Sequence, residues 1–160
     1  MVLVILGLFT AVAAVRLQQP YRAARLRDVV ERLAFTDQQV RVHARRFAQS
    51  GQLVWDLDKN LIYARSEDTG DLPHFRVPLP PSARLDRVQT RRGQIDRRQA
   101  RIDVTSGGQT PSYAVRLSTA DGGKQWLFFS GITGQVTLLE VESDVQKLFQ
   151  LLDQGGAHAD

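Results

Sequence analysis

The chain opens MVLVILGLFTAVAAV, fifteen residues without a charge, and reaches its first charged side chain at Arg16. As a helix this run spans about 22 Å, whereas a bilayer core is about 30 Å thick and needs about 20 residues. A helix that is apolar on every side demands burial on every side. Three placements compete. A cleaved secretory signal would use the small residues Ala11, Ala13 and Ala14, but the charged leading region of such a signal is missing. A core helix suits the length, yet the terminus of a small domain is an awkward place to surround it. A membrane helix whose first turn precedes Met1 accounts for both the missing basic leader and the short span, and it is the expected reading. Its apolar surface is Val2, Leu3, Val4, Ile5, Leu6, Leu8, Phe9, Val12 and Val15.

After Arg16 the pattern becomes one-sided. Leu26, Val29, Val30 and Leu33 recur at helical spacing, and Val40, Ala44, Phe47 and Ala48 resume it. Thr36-Asp37-Gln38-Gln39 interrupts the repeat, and Thr36 with Gln39 has the form of a capping box. The segment is therefore one long helix with a weak point or two helices. Its arginines are expected on the solvated face, and Gly51 is expected to cap its C-terminus.

The period then shortens. Gln52 to Leu57 and Leu61 to Arg65 read as strands around the turn residues Asp58-Lys59-Asn60. Residues 66–73 (SEDTGDLP) read as a loop, and a short strand from His74 to Val77 runs into Pro78, Pro80 and Pro81. Arg84 to Thr90 and Gln99 to Thr105 are further strands. Ser112 to Thr119, Lys124 to Ser130 and Gln135 to Val141, separated by ADGG and GITG, predict an antiparallel meander. Ser143 to Asp153 reads as an amphipathic helix with Ser143 and Gln146 as a capping box and Val145, Leu148, Phe149 and Leu152 as one stripe. The tail GGAHAD is expected to fray.

Segregated helix and strands predict an α+β fold: a long hydrophobic N-terminal helix, an antiparallel β-sheet domain and a short C-terminal helix. The expected division is 1–20 for the membrane half of the helix and 21–50 for its amphipathic half. A β-rich domain over 51–142 and a helix with tail over 143–160 complete it. The 160 residues suffice for one such domain with an appendage.

The string MVLVILGLFTAVAAVRL resembles the hydrophobic helix of type IV pilins and type II secretion pseudopilins. In that family a short basic leader ends in Gly, Phe-Thr-Leu-x-Glu follows the cut, and a run like Met1 to Val15 comes next. About five further residues ahead of Met1 bring the span to about 20. Helix ending and first strand (VHARRFAQSGQLVWDLD), the Leu-Pro-Pro connection (VPLPPSARLDRV) and the closing stretches TSGGQTPSYAVRL and LFFSGITGQVTL resemble H-type minor pseudopilins and their FimT-type minor pilin relatives. The resemblance implies a pilin-like fold and no enzymatic activity. It implies assembly with other pseudopilins or minor pilins into a filament, and processing and methylation by a prepilin peptidase where a leader exists. It places the chain in the bacterial inner membrane as a single-pass protein with its C-terminal domain in the periplasm. The positive-inside rule reads Arg16, Arg22, Arg25 and Arg27 the other way, so basic residues in a leader are expected to restore the bias. An alternative without pilin ancestry is a membrane-anchored periplasmic scaffold.

No residue pattern points to catalysis. His43, His74 and His158 show no metal-ligand spacing, and no HExxH, GxSxG or phosphate-loop motif is present. Asp56 and Asp58 flank a turn, and Glu67, Asp68 and Asp71 form an acidic loop, but calcium needs six or more oxygens. TSGGQT reads as a flexible turn. Trp55, Tyr63, Tyr113, Trp126, Phe128 and Phe129 read as strand core. No cofactor, catalytic residue or metal site is expected. The net charge of +4 is carried mostly by arginine, with Lys59, Lys124 and Lys147 the only lysines. Arg84, Arg87, Arg91, Arg92, Arg97, Arg98 and Arg101 fall in one short region. They read as charges that block edge pairing of strands, or as a basic patch for DNA, acidic lipid or an acidic partner. FimT-type relatives that capture DNA favour DNA in the second reading, although no aromatic residue is interleaved for base stacking.

Overall fold

A computed structural model describes residues 26–66, 70–120 and 122–156. The apolar opening, with Val2 to Val15, lies outside these residues, as do Glu67, Asp68 and His158. Among the described residues no helix is long and apolar enough to cross a membrane.

Helix α1 covers residues 26–47 without a break. The suspected cap at Thr36 does not form, because its hydroxyl donates to the Arg32 carbonyl one turn back at 2.8 Å, and the helix runs on. Val29, Val30, Leu33, Val40 and Ala44 form the buried stripe, whereas Phe47 is exposed and Ala48 lies beyond the last turn. The expected glycine cap is also corrected. Ala48 takes the left-handed conformation (φ 50°), and the Gln49 N–H returns to the Ala44 carbonyl at 3.1 Å. Gly51 instead begins the first strand, where a side chain would collide with the Arg65 carbonyl oxygen 2.6 Å from its Cβ position.

Two antiparallel sheets follow. The first has the order β3-β2-β1-β6, built from β1 (Gly51–Asp56), β2 (Leu61–Ser66), β3 (Gly70–Pro78) and β6 (Gln99–Val104). The second has the order β5-β4-β7-β8-β9. Its strands are β4 (Ala83–Thr90), β5 (Gly93–Ile95), β7 (Tyr113–Thr119), β8 (Lys124–Phe129) and β9 (Val136–Leu139). The expected meander is β7-β8-β9. β3 begins within the expected loop, at Gly70, because Leu72, Asp71 and Gly70 pair with Ala64, Arg65 and Ser66 after a register shift between Tyr63 and Ala64. As an edge strand β3 tolerates Pro73, which offers no N–H to the ladder. The three-residue β5 was not expected.

The inward faces of both sheets and the stripe of α1 close on one core. Trp55, Tyr113 and Phe129 lie at its centre, with the Tyr113 and Phe129 rings stacked at 4.6 Å. Alternation along β7 and β8 puts Tyr113, Val115, Leu127 and Phe129 into this core and Ala114, Trp126 and Phe128 on the opposite face. There α2 (Glu142–Gly156) covers them with Val145 and Phe149, flanked by Leu148 and Leu152. The expected stripe is thus the buried one. The expected capping box is displaced, since Ser143 already lies in the first turn, where Glu142 and Asp144 complement the helix dipole. Asn60 joins the sheets. In a left-handed conformation (φ 53°), its amide donates to the Ala83 carbonyl at 2.8 Å and accepts from the Leu85 N–H at 2.9 Å.

Candidate interaction surfaces

Helix α1 is fastened to the second sheet by a buried polar group that the arginine pattern conceals. Arg41 was expected on the solvated face, but its side chain is 3% exposed. Its Nε donates to Asp37 Oδ2 at 2.6 Å, one helical turn back. Nη1 donates to the Gly131 carbonyl at 2.7 Å, and Nη2 to Thr110 Oγ1 at 2.7 Å. The other carboxylate oxygen of Asp37 accepts from the Tyr113 hydroxyl at 2.8 Å. Helix, β6–β7 connection, β7 and β8–β9 turn meet in this one network. Burial pushes the Asp37 carboxyl above its ordinary value against the opposing pull of Arg41 and Tyr113. Burial, reinforced by the neighbouring carboxylate, holds the Tyr113 hydroxyl well above the usual phenol range.

Two glycines let the β8–β9 turn close in, one against the β6–β7 connection and one against the helix. A side chain at Gly131 would overlap the Thr110 carbonyl oxygen, and one at Gly134 (φ 68°) would meet the Gln38 amide 2.7 Å away. The turn between them carries Ile132, which is 82% exposed. Phe35 and Val42 lie two turns apart on the helix and are also exposed.

The arginines from 84 to 101 separate in space. Arg84 and Arg87 lie on β4. Arg87 pairs with Glu142 of α2 at 3.4 Å, so it ties the C-terminal helix to the sheet. Arg91 and Arg92 form the turn into β5, at the far end of β4 from Asn60. Arg97 and Arg98 connect β5 to β6, and Arg101 lies on β6 opposite Val54. Both β5 and β6 are edge strands. Arg84, Arg92, Arg97, Arg98 and Arg101 are exposed and make no ion pair with a described residue.

The remaining sequence candidates have structural tasks. Asp56 is buried, accepting from the Lys59 N–H and the Gln99 amide, both at 2.8 Å. Asp58 accepts from the Arg98 N–H at 3.3 Å. The His43 ring rests on Phe47 and Phe75, with centroids 4.6 and 5.3 Å away. His74 and Asp71 belong to β3. Among the described residues no three His, Asp or Glu side chains converge as metal ligands do.

Two solved structures of the minor pseudopilin EpsH from the type II secretion system of Vibrio cholerae share this fold. One superposes with a TM-score of 0.52 at 12% identity, covering 71% of this chain and 95% of EpsH. The other gives 0.54 at 12% identity, covering 69% and 90%. No protein-family model matches the sequence, and no curated protein matches it.

Proposed function

We propose that this chain is a non-enzymatic minor pseudopilin, a subunit of a periplasmic pseudopilus that serves protein export by type II secretion. The observation that carries this reading is the shared architecture: a helix packed along two antiparallel sheets, as in EpsH over nearly the whole EpsH chain. In this reading residues 1–20 hold the subunit in the inner membrane and bundle with the helices of sibling subunits during assembly. The globular domain then faces the periplasm. The latch at Arg41 keeps the helix and the domain as one body, so force on the helix reaches the sheets.

Intact mass and N-terminal sequencing of the protein from its native membrane test the reading. A start upstream of Met1, with a methylated first residue close to a glutamate, is the expected result. A start at Met1, or after Ala13 or Ala14, overturns the processed-pseudopilin reading. Arg84, Arg92, Arg97, Arg98 and Arg101, exposed and without an ion pair to a described residue, favour one second reading, a FimT-type minor pilin that binds DNA. It requires salt-dependent DNA binding that Arg91→Ala with Arg92→Ala abolishes.

A further inference from the structure

We propose that the cleft between the β1–β2 turn and the start of β6 is a docking site for a carboxylate-bearing segment of a partner protein, held by Lys59, Arg98 and Arg101. The cleft has a volume of about 450 Å³ and is lined by these three cations with Asp56, Asp58 and Gln99. That size admits a few side chains of a protein segment.

The cations are available because neither neighbouring carboxylate forms an ion pair with them. Asp56 is buried and spends both oxygens on the Lys59 N–H and the Gln99 amide. Asp58 holds the Arg98 N–H, and the Arg98 carbonyl accepts from the Leu57 N–H at 2.8 Å. Clamped from both sides, Arg98 adopts a left-handed backbone (φ 64°), a conformation that a residue with a Cβ rarely takes. Lys59, Arg98 and Arg101 are exposed and form no ion pair with a described residue. An arginine fork binds a carboxylate through two parallel hydrogen bonds.

Charge arrangement selects a protein over a nucleic acid. The exposed Asp58 stands among the cations, where it disfavours an unbroken run of anions and leaves an oxygen to accept a donor from a peptide whose carboxylates are spaced apart. Among the described residues no aromatic side chain lines the cleft, so none offers a base a stacking surface. The Arg91–Arg92 turn is at the other end of β4, so the basic residues do not form the continuous stripe that a duplex backbone follows. Among the described residues no strand pairs with the outer edge of β6, which adds backbone donors and acceptors beside Arg101. The site does not rest on the secretion reading, since any partner with suitably placed carboxylates satisfies it.

Fluorescence anisotropy of the full chain at low salt tests the site with two probes, a labelled Glu-Gly-Glu-Gly-Glu-Gly-Glu-Gly peptide and a 20-base-pair duplex. The expected result is peptide binding that Arg98→Gln with Arg101→Gln weakens about tenfold or more, each tenfold corresponding to about 1.4 kcal/mol. Lys59→Gln, which leaves the Arg98 backbone untouched, is expected to weaken it several-fold, and Arg84→Gln with Arg92→Gln to leave it unchanged. Absence of peptide binding, or binding indifferent to the Lys59 and Arg98/Arg101 changes, overturns the proposal. Duplex binding lost with these same variants while the peptide fails to bind overturns it in favour of nucleic acid. The N-terminal sequence of the native protein is read separately, so failure here leaves the pseudopilin reading standing, and the converse.

Discussion

Helix α1 and the stretch from Arg84 to Arg101 are both rich in arginine, yet they use it in opposite ways. In the helix, Arg41 is buried and commits its guanidinium to Asp37, Thr110, Ser130 and Gly131. Along the second stretch most guanidinium groups face water, and one, Arg87, reaches a partly exposed glutamate. The difference is one of partners rather than residue type. A guanidinium enters a core only where a carboxylate and several carbonyl or hydroxyl acceptors already converge. On β4 and β6 the inward positions belong to Leu85, Val88, Ala100 and Ile102, which leaves the arginines between them to the solvent.

The comparison breaks first at Arg41. Arg41→Ala leaves the Asp37 charge buried without its cation and is expected to cost about 3–5 kcal/mol in urea unfolding. A loss below about 1 kcal/mol would mean that the latch is not what holds the helix. Next comes Tyr113→Phe, which removes a donor from the same carboxylate at an expected cost of about 1–3 kcal/mol. It also carries a pH signature. The Tyr113 hydroxyl is raised in the folded chain, so its contribution is fully present below the ordinary phenol value near 10. That contribution is lost as pH rises from there toward the higher folded value. Wild-type stability is expected to fall more steeply above pH 10 than that of Tyr113→Phe, as read by melting temperature against pH.

Smaller effects sharpen the contrast. Ala48→Gly relieves a left-handed alanine worth about 1–2 kcal/mol, offset by about 0.4–1 kcal/mol of extra freedom in the unfolded chain. A net gain of about 0.5 kcal/mol is expected in the same unfolding assay, against no gain at the exposed helical position Gln39. Smallest of all, Arg98→Gln with Arg101→Gln is expected to shift stability by no more than about 0.5 kcal/mol. A large loss there would show that the exposed arginines, like Arg41, support the fold.

Much of the architecture was legible because periodicity is local. The alternation of Tyr113, Val115 and Leu117, the turn at Asp58-Lys59-Asn60 and the stripe at Val145, Leu148, Phe149 and Leu152 each report a pattern within one element. Three details were not legible. β3 starts at Gly70 because β2 supplies its partners, and the pairing is invisible in SEDTGDLP. β5 is only three residues long and exists through pairing with Val88 to Thr90. The helix ends at a left-handed alanine where a glycine three residues on is the stronger local signal. Of the interaction surfaces, the basic region was visible as composition, but its division among β4, two connections and β6 follows from the crossover between sheets. The latch had one signal available, Asp37 and Arg41 at a spacing of four on an otherwise apolar side of the helix.

By itself the sequence determined the order of the longer described elements and most of their amphipathic faces. These depend on repeat length and on residue chemistry within a few positions. Tertiary structure alone decided which arginine is buried, which carboxylates are spent on backbone N–H groups and which cations near the β1–β2 turn form no ion pair with a described residue. Those outcomes depend on groups as far apart as Asp37 and Tyr113, or Asp56 and Gln99, and on acceptors that come together only when the two sheets and the helix close on one core.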